Sequence, residues 1–297
     1  PKHCASERRR AAPSLSSKRW NNVRLDWDLG SSADEDSDVT EDLGGGFALL
    51  QSAGREPIIV ATALAGTGAL GFASPVSVDA RLDADAIAWL ADARLQGDRR
   101  IISLAQIHSA TCVEAQAGNP DSPEADAVWT SSPDDMLIIR TADCAAVWLV
   151  DPENSHLAMM HAGWRGAADG IVEQTVATLR EHRGDPQAMV AAIGPHIGPC
   201  CFEVGPDVAQ RFADIEGAVG AASALKTPRQ RSDSVSLDLG AVLVSNLLDA
   251  GVPRSQINVA TACTLCYRSP NGEPALHSYR RNGSGGPLMG SVGFLQR

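Results

Sequence analysis

No apolar run in this chain is long enough to cross a bilayer. The longest, Met136 to Val150, is interrupted by Arg140 and Asp143, whereas a spanning helix needs roughly 20 apolar residues. The first residues lack the basic, apolar and small-residue succession of a secretory signal. The seven cysteines form no dense, regularly spaced framework. That argues against a disulfide scaffold and for a reducing compartment, where cysteines are buried residues, ligands or nucleophiles. A cytoplasmic protein is expected. Positive charge is also short, since 25 Lys and Arg against 36 Asp and Glu leave a formal net charge of −11. Such a surface repels polyphosphate backbones, so neither nucleic acid nor a membrane is an expected partner. Any anionic substrate has to be attracted by local arginines and backbone N–H groups.

What is present suffices for a packed core. The chain has 297 residues, 44% of them apolar and 21% charged, an ordinary globular balance that needs no metal or disulfide to hold the fold. Residues 1–46 read as a disordered leader, basic and Ser-rich at first, then acidic, then Gly44-Gly45-Gly46. Beyond Phe47 strands and helices alternate. Strands are expected over Pro57–Ala65, Ile101–Ile107, Ala125–Thr130, Met136–Thr141, Ala145–Val150 and His156–His161, then over Val190–Ile193, Ile257–Ala262 and Ala275–Tyr279. Helical spacing covers Asp83–Leu95, Gly166–His182, Pro206–Phe212 and Leu239–Leu248. This order predicts an α/β fold with mixed sheets. No internal repeat is visible.

Three segments bring His or Cys to the end of an expected strand: Gln106-Ile107-His108, Thr141-Ala142-Asp143-Cys144, and His161-Ala162-Gly163-Trp164-Arg165-Gly166. Two imidazoles and one thiolate make a three-ligand zinc set with a fourth position left for water or substrate. Spacing by itself leaves open that His108, Cys144 and His161 are buried structural residues. After His161 two glycines flank Trp164-Arg165 and a helix is expected to start directly after them, so that its N–H groups and Arg165 form an anion pocket; the alternative is that Gly163 and Gly166 only make a tight turn. Asp143 reads equally as a ligand-orienting group, a base or a turn cap. Trp164 and Tyr279 read equally as stacking platforms for a purine or as core. A second Gly/Pro-rich turn, Gly194 to Cys201, shapes a cleft wall or merely punctuates the chain. Cys263-x-x-Cys266 has no second Cys-x-x-Cys pair to complete a zinc ribbon, and adjacent Cys200-Cys201 has the wrong spacing. Cys263 therefore reads as a buried residue lining the cleft.

Taken together these segments resemble the laccase-domain (YfiH-type) family. The resemblance continues through Ile193-Gly-Pro-His-Ile-Gly-Pro-Cys-Cys-Phe-Glu-Val-Gly205, Cys263-Thr264 and Ser278-Tyr279-Arg280-Arg281, covering about Ile101 to Arg281 in the family's order. It implies a layered α/β/β/α-type single domain with mixed sheets, with residues 47–297 as the catalytic domain. It implies Zn2+ as cofactor, held by His108, Cys144 and His161. It implies purine nucleoside and phosphate as substrates, of the adenosine, inosine and methylthioadenosine class, with phosphorolysis as the reaction and adenosine deamination as a second activity. Cys144, Asp143 and Arg165 are the implied catalytic residues, with Arg165, Trp164 and Arg280 contacting substrate or phosphate. The chain departs from the family where Thr62 to Ser74 lacks the arginine of an Arg-x-Gly-Gly-x-Ser segment, and where Gly285-Gly286 replaces a terminal Gly-Arg. If those arginines hold phosphate, phosphorolysis is weakened here. A multicopper laccase is disfavoured, since its centres need about ten histidines, many in His-x-His pairs, and this chain has seven histidines and no such pair. A thiol or zinc hydrolase editing peptidoglycan precursors, with Cys144 as nucleophile, is the rival chemistry, and an inactive zinc-binding homologue the third reading. Monomer and small homo-oligomer are both open.

Overall fold

The computed structural model describes residues 38–44, 47–51, 58–61, 69–77, 99–115, 122–213, 225–226, 234–268, 272–283 and 289–295. In chain order the strands are β1 (Asp38–Gly44), β2 (Phe47–Gln51), β3 (Ile58–Ala61), β4 (Ala69–Ser77), β5 (Arg100–Ile102), β6 (Cys112–Glu114), β7 (Ala127–Thr130) and β8 (Asp135–Thr141). They continue as β9 (Ala145–Asp151), β10 (His156–Ala162), β11 (Val190–Ile193), β12 (Glu203–Val204), β13 (Leu225–Lys226), β14 (Val235–Leu237), β15 (Ile257–Val259) and β16 (Met289–Leu295). The helices are α1 (Trp164–Ala168), α2 (Ile171–Glu181), α3 (Pro206–Ala213), α4 (Leu239–Asp249) and α5 (Tyr279–Asn282).

A seven-stranded sheet runs β1-β2-β3-β4-β16-β8-β5, and a six-stranded sheet runs β15-β11-β9-β10-β7-β6. Both are mixed, because β5 joins β8 in parallel while β15 and β6 join β11 and β7 in parallel. The expected α/β class with mixed sheets is therefore what the chain adopts. Strand β1 starts upstream of Phe47 and pairs antiparallel with β2; backbone pairing needs no apolar side chains, so acidic composition did not signal it.

β9 and β10 read as unbroken apolar runs because both of their faces are covered. Ala145, Val147 and Leu149 of β9, with Ala158, Met160 and Ala162 of β10, pack against α2 and α4. Ala146, Trp148 and Val150, with Leu157 and Met159, face Leu137 and Ile139 of the other sheet. Among the described residues, helices, six-stranded sheet and seven-stranded sheet thus form three successive layers. Trp148 joins the two sheets directly, its indole N–H donating to the Val292 carbonyl at 2.9 Å. A Cβ on Gly293 would stand 2.9 Å from the Trp148 ring, so β16 passes closely enough there to require glycine. The helix expected over Asp83–Leu95 lies outside the described residues.

Three expected elements differ. Gly166–His182 is two helices, α1 and α2, separated at Gly170, whose φ of 86° is left-handed. Ile101–Ile107 is a strand only over β5. Beyond it the Gln106 side chain replaces the ladder, its amide donating to Arg140 O at 2.7 Å while its carbonyl oxygen accepts from Arg140 N at 2.9 Å. Ala275–Tyr279 is not a strand; Ser278 caps α5, accepting from the Arg281 N–H at 3.3 Å. Among the described residues no helix is long and apolar enough to cross a membrane.

Candidate metal centre

The three strand-end residues converge. The ligand atoms of His108, Cys144 and His161 all lie within 4.8 Å of one another. Cys144 Sγ is 3.9 Å from His108 Nε2, and the two imidazoles stand edge to face with ring centroids 4.8 Å apart. His161 arrives on the end of β10, Cys144 on the tight β8–β9 connection, and His108 on the loop that Gln106 ties to β8. The approach is so close that a Cβ on Gly163 would lie 2.8 Å from Cys144 Sγ and 3.2 Å from the His108 ring, and one on Gly166 2.9 Å from Ser109 O. Those glycines serve close packing against the ligand set. The short α1 begins at Trp164, with Gly166 inside it. The expected start of a long helix after Gly166 is therefore absent.

Backbone strain gathers at the same place. His108 has φ 63° and Asp143, beside Cys144, has φ 84°, a left-handed conformation that costs a non-glycine residue about 1–2 kcal/mol. A carboxylate holds each, buried at Asp126 and half-buried at Asp143. Asp126, fully buried, accepts from the N–H groups of Ile107 at 3.2 Å, His108 at 3.0 Å and Ser109 at 2.6 Å, and from the Ser109 hydroxyl at 2.9 Å. It also pairs with His161 Nδ1 at 2.7 Å, which fixes the ring and leaves Nε2 as the ligand atom. Asp143 accepts from the Thr264 hydroxyl and from the Arg280 N–H, each at 2.7 Å. Both of its oxygens are thus engaged in fastening the Cys144 loop.

Electrostatics follow from this packing. Burial works against ionisation of Asp126, yet hydrogen bonds from His161 and Ser109 overcome it and bring the carboxyl down to about 2. Burial likewise opposes charge on His161, but Asp126 and Cys144 raise it to about 9. Cys144, though burial raises it, is brought down to about 7 by hydrogen bonds from His108 and His161. Two imidazoles and a readily ionised thiol, one imidazole backed by a carboxylate, are a donor set that suits a zinc-like ion with an open position.

The centre opens on a cavity of about 600 Å³, within the range of small-molecule sites. Trp164, Arg165 and Arg280, expected at the site, line it, together with Tyr279, Gln106 and Arg140. The Arg165 guanidinium lies 4.5 Å over the Trp164 ring. Arg280 donates to Glu203 O at 3.0 Å and sits 5.5 Å from the Phe202 ring. Tyr279 is 59% exposed, so it is no core residue. Asp126, Thr264 and Arg140 were not foreseen as site residues; each bonds a residue far away in sequence, and although Thr264 falls in the Cys263-Thr264 segment of the resemblance, nothing local tied it to Asp143.

The cysteines correct one expectation. Cys200, Cys201, Cys263 and Cys266 also form a group whose sulfurs lie within 4.8 Å of one another, and Cys263 is buried but does not line the cavity. Spacing rules assume that neighbouring side chains diverge as in a strand. Here Cys201 and Phe202 donate backbone N–H groups to Gly198 O, both at 2.9 Å, and this turn carries both sulfurs to one side.

Residues 79–294 match the family described as multi-copper polyphenol oxidoreductase laccase. The chain is 30% identical over 193 residues to the purine nucleoside phosphorylase of Haemophilus influenzae, covering 65% of this chain and 74% of that protein. It is 40% identical over 143 residues to the purine nucleoside phosphorylase of Xylella fastidiosa strain Temecula1, covering 48% of this chain and 52% of that one. In fold it is similar to YfiH of Bacillus licheniformis, with a TM-score of 0.71 at 22% identity over 82% of this chain and 98% of that one. YlmD of Geobacillus stearothermophilus gives a TM-score of 0.71 at 24% identity, over 86% and 100%. Despite the family's description, the metal-ligand groups among the described residues are one His/Cys/His set and one four-cysteine set, not a histidine-rich copper array. With the family's match running over most of its length, the chain belongs to this laccase-domain family.

Proposed function

We propose that this chain is a zinc-dependent purine nucleoside phosphorylase, acting on nucleosides of the adenosine, inosine and methylthioadenosine class. The observation that carries the reading is the convergence of His108, Cys144 and His161 in the lining of the cavity. It is supported by relatives that bear the phosphorylase name. In the reaction a phosphate oxygen bonds to the sugar C1′ while the C–N bond to the purine breaks, so the products are sugar 1-phosphate and free base. His108, Cys144 and His161 would hold the zinc, which when bound would supply Lewis acidity at the cavity. The chain does the rest. Arg165 and Arg280 on the cavity wall neutralise phosphate, Trp164 and Tyr279 offer apolar faces to the purine, and Asp143 positions the Cys144 loop instead of acting as a base.

The test is incubation of metal-replete protein with adenosine and inosine, with and without phosphate. Free base and sugar 1-phosphate formed only with phosphate support the proposal. Inosine appearing from adenosine without phosphate adds deamination as a second activity. No turnover of any nucleoside overturns the reading. Cys144→Ala should remove both bound metal and turnover. Activity that survives chelation would point to a thiol nucleophile in place of a metal ligand.

A further inference from the structure

We infer that Cys200, Cys201, Cys263 and Cys266 form a second, closed metal site that takes one zinc-class ion through four thiolates. The four sulfurs lie within 4.8 Å of one another, with Cys200 and Cys266 3.5 Å apart. Four thiolates arranged tetrahedrally at ~2.3 Å from one zinc stand about 3.8 Å from each other, so the spacing is that of a single ion's shell. A disulfide requires sulfurs about 2.05 Å apart and would use only two of the four. An iron–sulfur cluster spreads its thiolates around several irons, which needs a wider mouth than this group has.

The surroundings suit thiolates. The Gly198 N–H donates to Cys263 Sγ at 3.2 Å, and Gly198 has no Cβ, which would otherwise stand 3.3 Å from Cys200 Sγ. Arg281 donates to the carbonyls of Thr264 at 3.4 Å and Leu265 at 3.1 Å, setting a guanidinium against the loop between the two C-terminal ligands. On loading, the four thiols release four protons to solvent, leaving a group of net charge −2 that these donors and Arg281 offset. Four protein ligands leave no open position, so the site is structural.

It also has a place to act. One pair of sulfurs is on the turn before Phe202, which lines the cavity; the other flanks Thr264, whose hydroxyl holds Asp143 beside Cys144. An ion there fastens two segments 62 residues apart (263 − 201), one bearing Phe202 on the cavity wall and the other Thr264 behind Asp143.

The experiment is elemental analysis of the full chain purified from zinc-supplemented cells. Wild type should hold one more ion per chain than C200S/C266S. H108A/C144A, which dismantles the first centre, should keep one zinc, and its X-ray absorption should show only sulfur neighbours at ~2.3 Å. The reading on H108A/C144A stands even if C200S/C266S loses its fold with the ion. The inference is overturned if H108A/C144A carries no metal, if its zinc has nitrogen or oxygen neighbours, or if the intact mass shows a Cys200–Cys266 disulfide. None of these readings depends on whether the protein turns over nucleosides.

Discussion

Two carboxylates organise the candidate metal centre without belonging to its His/Cys/His donor set. Asp126 gathers three backbone N–H groups, a hydroxyl and an imidazole, so its charge offsets the strain at His108 and orients His161. Asp126→Asn keeps the shape but points an N–H2 group at donors. It should weaken metal affinity roughly 10–100-fold and reduce stability by about 1–3 kcal/mol, read by chelator competition and urea unfolding; unchanged affinity would remove Asp126 from the centre. Cys112 illustrates a purely structural thiol. Burial under α2 pushes it up to about 11 against an ordinary 9.0, with hydrogen bonds from Thr175 and Thr178 only partly countering. A raised folded-state value means that the unfolded chain ionises first as alkali is added. The stability Cys112 contributes is therefore intact below pH 9 and is lost as pH rises towards 11, on the order of 2–3 kcal/mol. Cys112→Ala should flatten that part of the unfolding-versus-pH curve, and parallel curves would contradict it.

At the scale of elements, the site depends on where helices and strands stop. β10 ends at Ala162, and α1 occupies a single short turn before Gly170 redirects the chain into α2. Because Gly170 has a φ of 86°, Gly170→Ala should cost about 1–2 kcal/mol without touching the metal centre. Calorimetry with metal analysis checks this; metal lost at unchanged stability would show that the break also places the ligands. The same apolar spacing that identified α2 could not reveal the break, since Ile171, Val172, Val176 and Leu179 satisfy one long helix as well as a short one. The run at Ala275–Tyr279 misled for a different reason. Its residues have strand composition, but the Ser278 side chain accepts the Arg281 N–H, and capping took precedence over propensity.

At the scale of the whole molecule, the two sheets must stay in register for His161 on one sheet to meet the His108 loop tied to the other. Trp148, wholly buried, bonds across to Val292 and packs between them. Trp148→Ala should cost about 3–5 kcal/mol and lower metal occupancy in proportion to unfolding; a variant of full stability would show that other contacts hold the layers together.

The α/β class, the strands from Ala127 to Ala162 and the three segments that bring His108, Cys144 and His161 to strand ends were legible in the chain, because apolar runs and strand-end His and Cys residues are local signals; the family resemblance, not spacing, singled these three out as a ligand set. Which residues meet was settled by packing in three dimensions. Asp126 beneath His161, Thr264 on Asp143, and four sulfurs from two distant turns are contacts between residues far apart in the chain, set by layer packing and turn geometry that leave no local pattern to read.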